Sequence, residues 1–114
     1  MSDKSFEAFK IVDADEWTAA KTVGAYAGSA VDLADGYIHL STGDQLAETV
    51  RKHYAGRENL LLLTVDLTAL GDMLVWEPSR GGALFPHIYG PLPVEAVTAT
   101  RAFAVEADGA MAFA

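Results

Sequence analysis

Phe6, Ala8, Lys10 and Val12 alternate with Glu7, Phe9 and Ile11 near the start of the chain. A period of two with apolar groups on both sides reads as a first strand, Phe6 to Val12, covered largely on both faces. Asp13 follows with Glu16 three residues on, the spacing of a capping box, and Val12 and Trp17 take the hydrophobic-staple positions around it. The pattern predicts a helix from Ala14 to about Val23, ended by Gly24. Thr42 and Gln45 repeat the capping spacing and open a second helix from Gly43 to about Tyr54. Leu46, Val50, His53 and Tyr54 form its buried stripe, with Glu48, Arg51 and Lys52 facing water. Between the helices, "GAYAGSAVDLADG" holds three glycines and two aspartates in thirteen residues and reads as a loop or one irregular turn. The stretch "YIHLS" after it is a strand.

The unbroken apolar run "NLLLLTVDL", Asn59 to Leu67, fits a central strand covered on both faces. Asp72 to Glu77 reads as another strand, followed by the loop "PSRGGALFP", a short strand "HIYG" and a last strand from about Val94 to Val105. The terminal "DGAMAFA" is either a docked tail or a frayed end. These elements predict one α+β domain over residues 1–114, with about six strands and two main helices, its sheets mostly antiparallel or mixed. There is no internal repeat or linker.

Composition narrows the function. A chain of 114 residues can bury roughly two thirds of its unfolded surface in one core, so stability requires neither disulfide nor metal. Eight Lys plus Arg against sixteen Asp plus Glu give a formal charge of −8. That field repels phosphate backbones and argues against a nucleic-acid partner. It leaves room for a small anion held in a local pocket. The absence of cysteine removes thiolate metal sites and a cysteine nucleophile, and fits a cytoplasmic protein. No window approaches the roughly 18 apolar residues of a membrane span, and the N-terminus lacks a signal-peptide core, so no membrane partner is expected.

Chemistry concentrates in two segments. Along "YIHLS", alternation gives Ile38 and Leu40 to the core and sets Tyr37, His39 and Ser41 in a row on the other face, ending at the N-terminus of the helix near Thr42. Such an end presents unpaired N–H groups suited to a phosphate or carboxylate. "HIYG" repeats the arrangement, with His87 and Tyr89 opposite Ile88. Each histidine alone could be a packed, hydrogen-bonded core residue; two of them, each sharing a face with a tyrosine, point to a pocket wall. His53, on the helical stripe, reads as structural. Glu77, beside Pro78 and a Gly-rich loop, is placed to serve as a general base, against the plain reading of a solvated strand end. Arg80 could clamp a phosphate or merely face solvent. Asp32 and Asp35 read as loop caps, and Trp17 and Trp76 as core.

The segments "GAYAGSAVDLADGYIHLSTGDQL", "WE" and "FPHIYGPL", together with the Lys-containing first strand and the helix carrying Trp17, resemble a bacterial family catalogued as domain of unknown function 952. Further, "YIHLST" is similar to the second-strand motif of the RNA 2′-phosphotransferase branch of ADP-ribosyltransferase-like proteins. That resemblance implies a split sheet enclosing a cleft for NAD or an ADP-ribose-like nucleotide, with His39 and Ser41 along the cleft and "FPHIYG" closing it. His39 is the one residue matched to the motif. The first strand offers Lys10 where those transferases carry His or Arg, and the arginines that hold tRNA phosphate are not evident.

The leading expectation is therefore a small-molecule site with NAD as the candidate cofactor and no metal. Its candidate catalytic residues are His39, Glu77 and His87, and its ligand-binding candidates are Tyr37, Ser41, Thr42, Arg80 and Tyr89. Two other classes stay open. One is metal-assisted chemistry on His39, His87 and a carboxylate such as Glu77; the other is a non-catalytic binding module.

Overall fold

Leucines 60 to 63 follow one another without a polar break, yet their side chains go to two different cores. A computed structural model describes residues 6–79 and 82–113. Strand β4, Leu60–Asp66, is flanked by β1, Glu7–Asp13, and by β8, Val97–Val105, and β9, Met111–Phe113, pairs outside β8, giving a four-stranded antiparallel sheet in the order β1-β4-β8-β9. Opposed residues share a face. Ala8, Val12, Leu63 and Val65 point to a core with Trp17, Ile38, Leu40 and Ile88, with Leu61 against its edge, whereas Ile11, Leu60 and Leu62 point to a second core with Leu46, Val50, Phe103 and Val105. The unbroken apolar run thus reports a strand with no solvent face.

Helix α1, Ala14–Val23, begins where expected: Asp13 accepts hydrogen bonds from the Asp15 and Glu16 amides at 2.9 and 3.1 Å, and Gly24 ends it at φ 99°. Positive φ at that position is what makes glycine the natural stop. The next thirteen residues differ from expectation. They hold a two-residue strand β2, Ala25–Tyr26, and a six-residue helix α2, Ala30–Asp35, capped by Ser29 and ended by Gly36 at φ 90°. Helix α2 turns Val31 and Leu33 to solvent and buries Asp32. This inversion of the usual apolar stripe is why its pattern does not read as a helix.

Strand β3, Ile38–His39, pairs antiparallel with β6, Leu84–Ile88, which in turn pairs with β5, Leu74–Pro78, in a second sheet of order β3-β6-β5. After His39 the chain crosses to the large sheet, where Ser41 bridges Phe9 through bonds of 2.7 and 2.9 Å. Helix α3, Gly43–His53, follows at once. Its Gln45 accepts from the Thr42 amide at 3.0 Å and donates to the Leu84 carbonyl at 2.8 Å, tying its first turn to β6. Strand β7, Leu92–Pro93, pairs with β2.

The mixed α+β class holds, and the described residues form three α-helices and more, shorter strands than the sequence suggests. Gly71–Met73 and Val94–Ala96 form 3₁₀ turns ahead of β5 and β8, where strands were expected to begin. The apolar tail docks as β9. On α3, Leu46 and Val50 are buried and Tyr54 is partly so, but His53, the last residue of the helix, is exposed, and Tyr54 after it takes the place against the second core. Trp76 is 37% exposed and lies outside both cores, since it stands on the edge strand of the small sheet. Among the described residues no helix is long and apolar enough to cross a membrane.

Candidate functional site

The register of the small sheet builds the site. His39 is directly opposite His87, and His87 is directly opposite Val75. Side chains two residues along a strand return to the same face, so Tyr37, His39, His87, Tyr89 and Glu77 all fall on one face. Ile38 and Ile88, also opposed, fill the core behind it. Tyr37 is the centre of the cluster: its ring stacks on His87 at 4.2 Å between centroids and lies 4.7 Å from His39 and 5.3 Å from Tyr89. The two imidazoles meet edge to face at 5.4 Å.

Each imidazole is held by a carboxylate. His87 is buried, and its Nδ1 lies 2.7 Å from Glu77 Oε1, which also accepts from the Tyr89 hydroxyl at 2.8 Å. These bonds, that from His87 foremost, hold the Glu77 carboxyl below its ordinary range, and the same contact raises the Tyr89 phenol. A glutamate kept ionised beside an imidazole and a phenol can accept a proton or steady a developing positive charge.

His39 lies between two aspartates. Its Nδ1 is 2.6 Å from Asp32 Oδ1 and its Nε2 is 2.9 Å from Asp35 Oδ2. About a third of the His39 side chain is exposed, 34%, against 1% for Asp32 and 46% for Asp35. Asp32 in turn binds Lys10, whose Nζ lies 2.9 Å from Oδ2 and 3.2 Å from Oδ1 in a fully enclosed ion pair. Burial pushes the Asp32 carboxyl upward. The His39 hydrogen bond, the Lys10 charge and the Ser29 amide outweigh it and hold the group well below the usual carboxylate range. Burial draws the Lys10 ammonium below its ordinary range, partly offset by Asp32.

Lys10 is thus more than a polar interruption of β1. It faces the same core as Ala8 and Val12 and reaches across to α2. In the sequence, Asp32 and Asp35 read as loop caps. Asp32 does cap α2, accepting from the Ser29 amide at 2.9 Å, but it also anchors an imidazole. The available signal was a lysine in the middle of a strand otherwise buried on both faces, which demands a buried partner.

Ser41 leaves the expected row. Its hydroxyl is 3.0 Å from Thr49 Oγ1 on α3, inside the protein. Thr42 sits at the N-terminus of α3, and Arg80 lies outside the described residues. A cavity of about 230 Å³ touches the ring cluster at Tyr37 alone and is otherwise lined by Ala27, Asp32, Leu33, Ile38, Ile88 and Pro91 among others. That volume admits a ring-sized group and not a whole dinucleotide. Among the described residues no three His, Asp or Glu side chains converge so as to hold a metal ion, so the proposed His39, His87 and Glu77 set is not assembled as a chelate.

Two crystal structures and a solution structure of protein CC0527 from Caulobacter crescentus resemble this chain. The crystal structure of the unaltered protein has 51% identity, a TM-score of 0.87 and 92% coverage of both chains. That of a double mutant has 50% identity, with the same TM-score and coverage. The solution structure has 52% identity and a TM-score of 0.79, covering 91% of this chain and 90% of that one. No curated protein matches. Residues 11–100, from within β1 into the first part of β8 and including every residue of the ring cluster, match the family described as "Protein of unknown function (DUF952)", and the chain belongs to that family.

Proposed function

We propose that the ring-lined face of the small sheet binds a nucleotide of the NAD or ADP-ribose class, in an ADP-ribosyltransferase-like arrangement in which the two sheets flank the cleft. The observation that carries this reading is the cross-strand pair His39 and His87, each bound to a carboxylate, with Tyr37 stacked between them and Tyr89. Aromatic and imidazole planes on one face suit a flat heterocycle. Imidazole and carboxylate groups a few ångströms apart suit the hydroxyls of a sugar.

In this reading His39 orients the ribose hydroxyls through Nε2. Glu77, held ionised by His87 and Tyr89, accepts a proton or faces the positive charge that develops as a glycosidic bond breaks. Tyr89, 46% exposed, stacks on the ligand's ring. The small cavity beside Tyr37 takes one ring of the ligand, and the remainder lies along the open face.

Titration of the isotope-labelled chain with NAD and then ADP-ribose, followed by amide and imidazole NMR, tests it. Saturable shifts concentrated at Tyr37, His39, His87 and Tyr89, abolished in His39→Ala, are expected. The absence of shifts at millimolar ligand would end the nucleotide reading. Binding without turnover would make the domain a ligand-binding module.

A further inference from the structure

Asp32 carries more contacts than a helix cap requires. The cap uses one oxygen: Oδ2 accepts from the Ser29 amide at 2.9 Å, while Ser29 Oγ accepts from the Asp32 amide at 3.2 Å. Oδ1 contributes nothing to that cap. It accepts from both the main-chain amide and the ring Nδ1 of His39, at 3.1 and 2.6 Å, and from Lys10. One oxygen chelating the backbone and the ring of the same residue fixes both the side-chain direction and the ring flip, because turning the ring over breaks the shorter contact. Lys10 in turn fixes the carboxylate.

We infer that Asp32 is a positioning residue for His39: it keeps Nδ1 turned inward as a donor, so that Nε2 is the nitrogen presented to a ligand. The inference rests on the reading that His39 faces the ligand. Ionised carboxylates only accept, so each of the two contacts, at 2.6 and 2.9 Å, needs a proton on its own ring nitrogen; a ring with one proton keeps it on Nδ1, against the buried Asp32 that Lys10 fixes, and the exposed Asp35 turns away from the bare Nε2. At metal sites a carboxylate bonded to the other ring nitrogen orients a ligating imidazole in the same way.

The far side of the ring adds a ligand preference. Asp35 Oδ2 stands 2.9 Å from Nε2 on a half-exposed side chain at the end of α2. A carboxylate oxygen already fills the position a ligand atom would take. The matching group of a ligand is therefore a hydroxyl, such as a sugar's, which donates to a bare Nε2 or accepts from a protonated one, and Asp35 swings outward when it binds. The rings of Tyr37 and His87 also lie against it, at 4.7 and 5.4 Å between centroids.

The test is the nitrogen-15 shift pair of the His39 ring in the full chain, recorded well above the ordinary imidazole range so that the ring is neutral. The wild type is expected to carry its proton on Nδ1, and D35N should leave it there. In D32A no carboxylate is left at Nδ1, Asp35 remains as the acceptor at Nε2, and the proton moves to Nε2. A wild-type ring protonated on Nε2, or a D32A ring unchanged from wild type, would overturn the assignment. The wild-type and D35N spectra decide the matter even if D32A fails to fold. In the same samples ADP-ribose affinity should fall roughly tenfold to a hundredfold in D32A, the range expected for losing a charged hydrogen bond, and should hold or tighten in D35N. If the wild type binds no ADP-ribose, the nucleotide reading fails separately, and the tautomer still decides whether Asp32 sets the ring.

Discussion

Replacing Lys10 by methionine keeps the aliphatic stem of the side chain in the core and removes only its ammonium. The structure sets the size of the effect. Lys10 and Asp32 are 4% and 2% exposed, and the Nζ lies within 3.2 Å of both carboxylate oxygens. Removing one partner of a buried ion pair costs about 3–5 kcal/mol, because the other charge is left uncompensated. Asp32 would still accept from Ser29 and twice from His39, which places the loss at the lower end, about 3 kcal/mol. With an m-value of about 1.5 kcal/mol/M, the urea midpoint should fall by about 2 M. The corresponding drop in Tm is about 12 °C or more. The double variant K10M/D32N should lose less than the sum of its parts by about 1 kcal/mol or more, since the two side chains share one interaction. Urea curves for the four proteins give the answer. A K10M protein within about 0.5 kcal/mol of wild type, or strict additivity, would refute the claim that Lys10 compensates Asp32.

The same carboxylate shapes the acid limb of stability. Its folded pKa is depressed, so the folded state binds fewer protons than the unfolded one through the acid range. Its contribution is complete above the unfolded carboxylate value of about 4 and drains away as pH falls below it; urea midpoints from neutral to acid pH should show a flatter acid limb in D32N than in wild type. Gly28→Ala tests the setting of α2: at φ +119° a Cβ would stand 2.9 Å from Asp32 Cβ. A loss of about 1–3 kcal/mol is expected, with displaced His39 ring resonances, and native stability with unmoved resonances would show that this turn does not constrain the aspartate.

Much of the frame was legible because the signals were local. The Asp13 cap and the Gly24 stop bounded α1, the Leu60 to Leu63 run marked a doubly covered strand, and alternation in "YIHLS" and "HIYG" placed both imidazoles opposite the core. What escaped depends on pairing between distant strands. No spacing in the chain announces that His39 lies opposite His87, or that Glu77, ten residues before His87, reaches its Nδ1. Helix α2 escaped for another reason. Its apolar residues face water and Asp32 faces inward, so a rule that seeks a hydrophobic stripe reads it as loop, and both carboxylates that grip His39 then read as loop caps. Ser41 shows the limit of alternation, since the crossing to β1 ends the row that a continuous strand would have extended.

Helix α2 and the orientation of His39 share a single carboxylate, so a disturbance at one reaches the other. Any opening of residues 29–36 releases the imidazole, and any substitution that frees the imidazole weakens the start of the helix. Amide exchange at His39 should therefore follow that of the α2 amides as one cooperative unit. For engineering, the segment from Gly28 to His39 is a single cassette: its length and turn cannot be traded independently of its chemistry, and a transplant would have to bring Lys10 from another strand along with it.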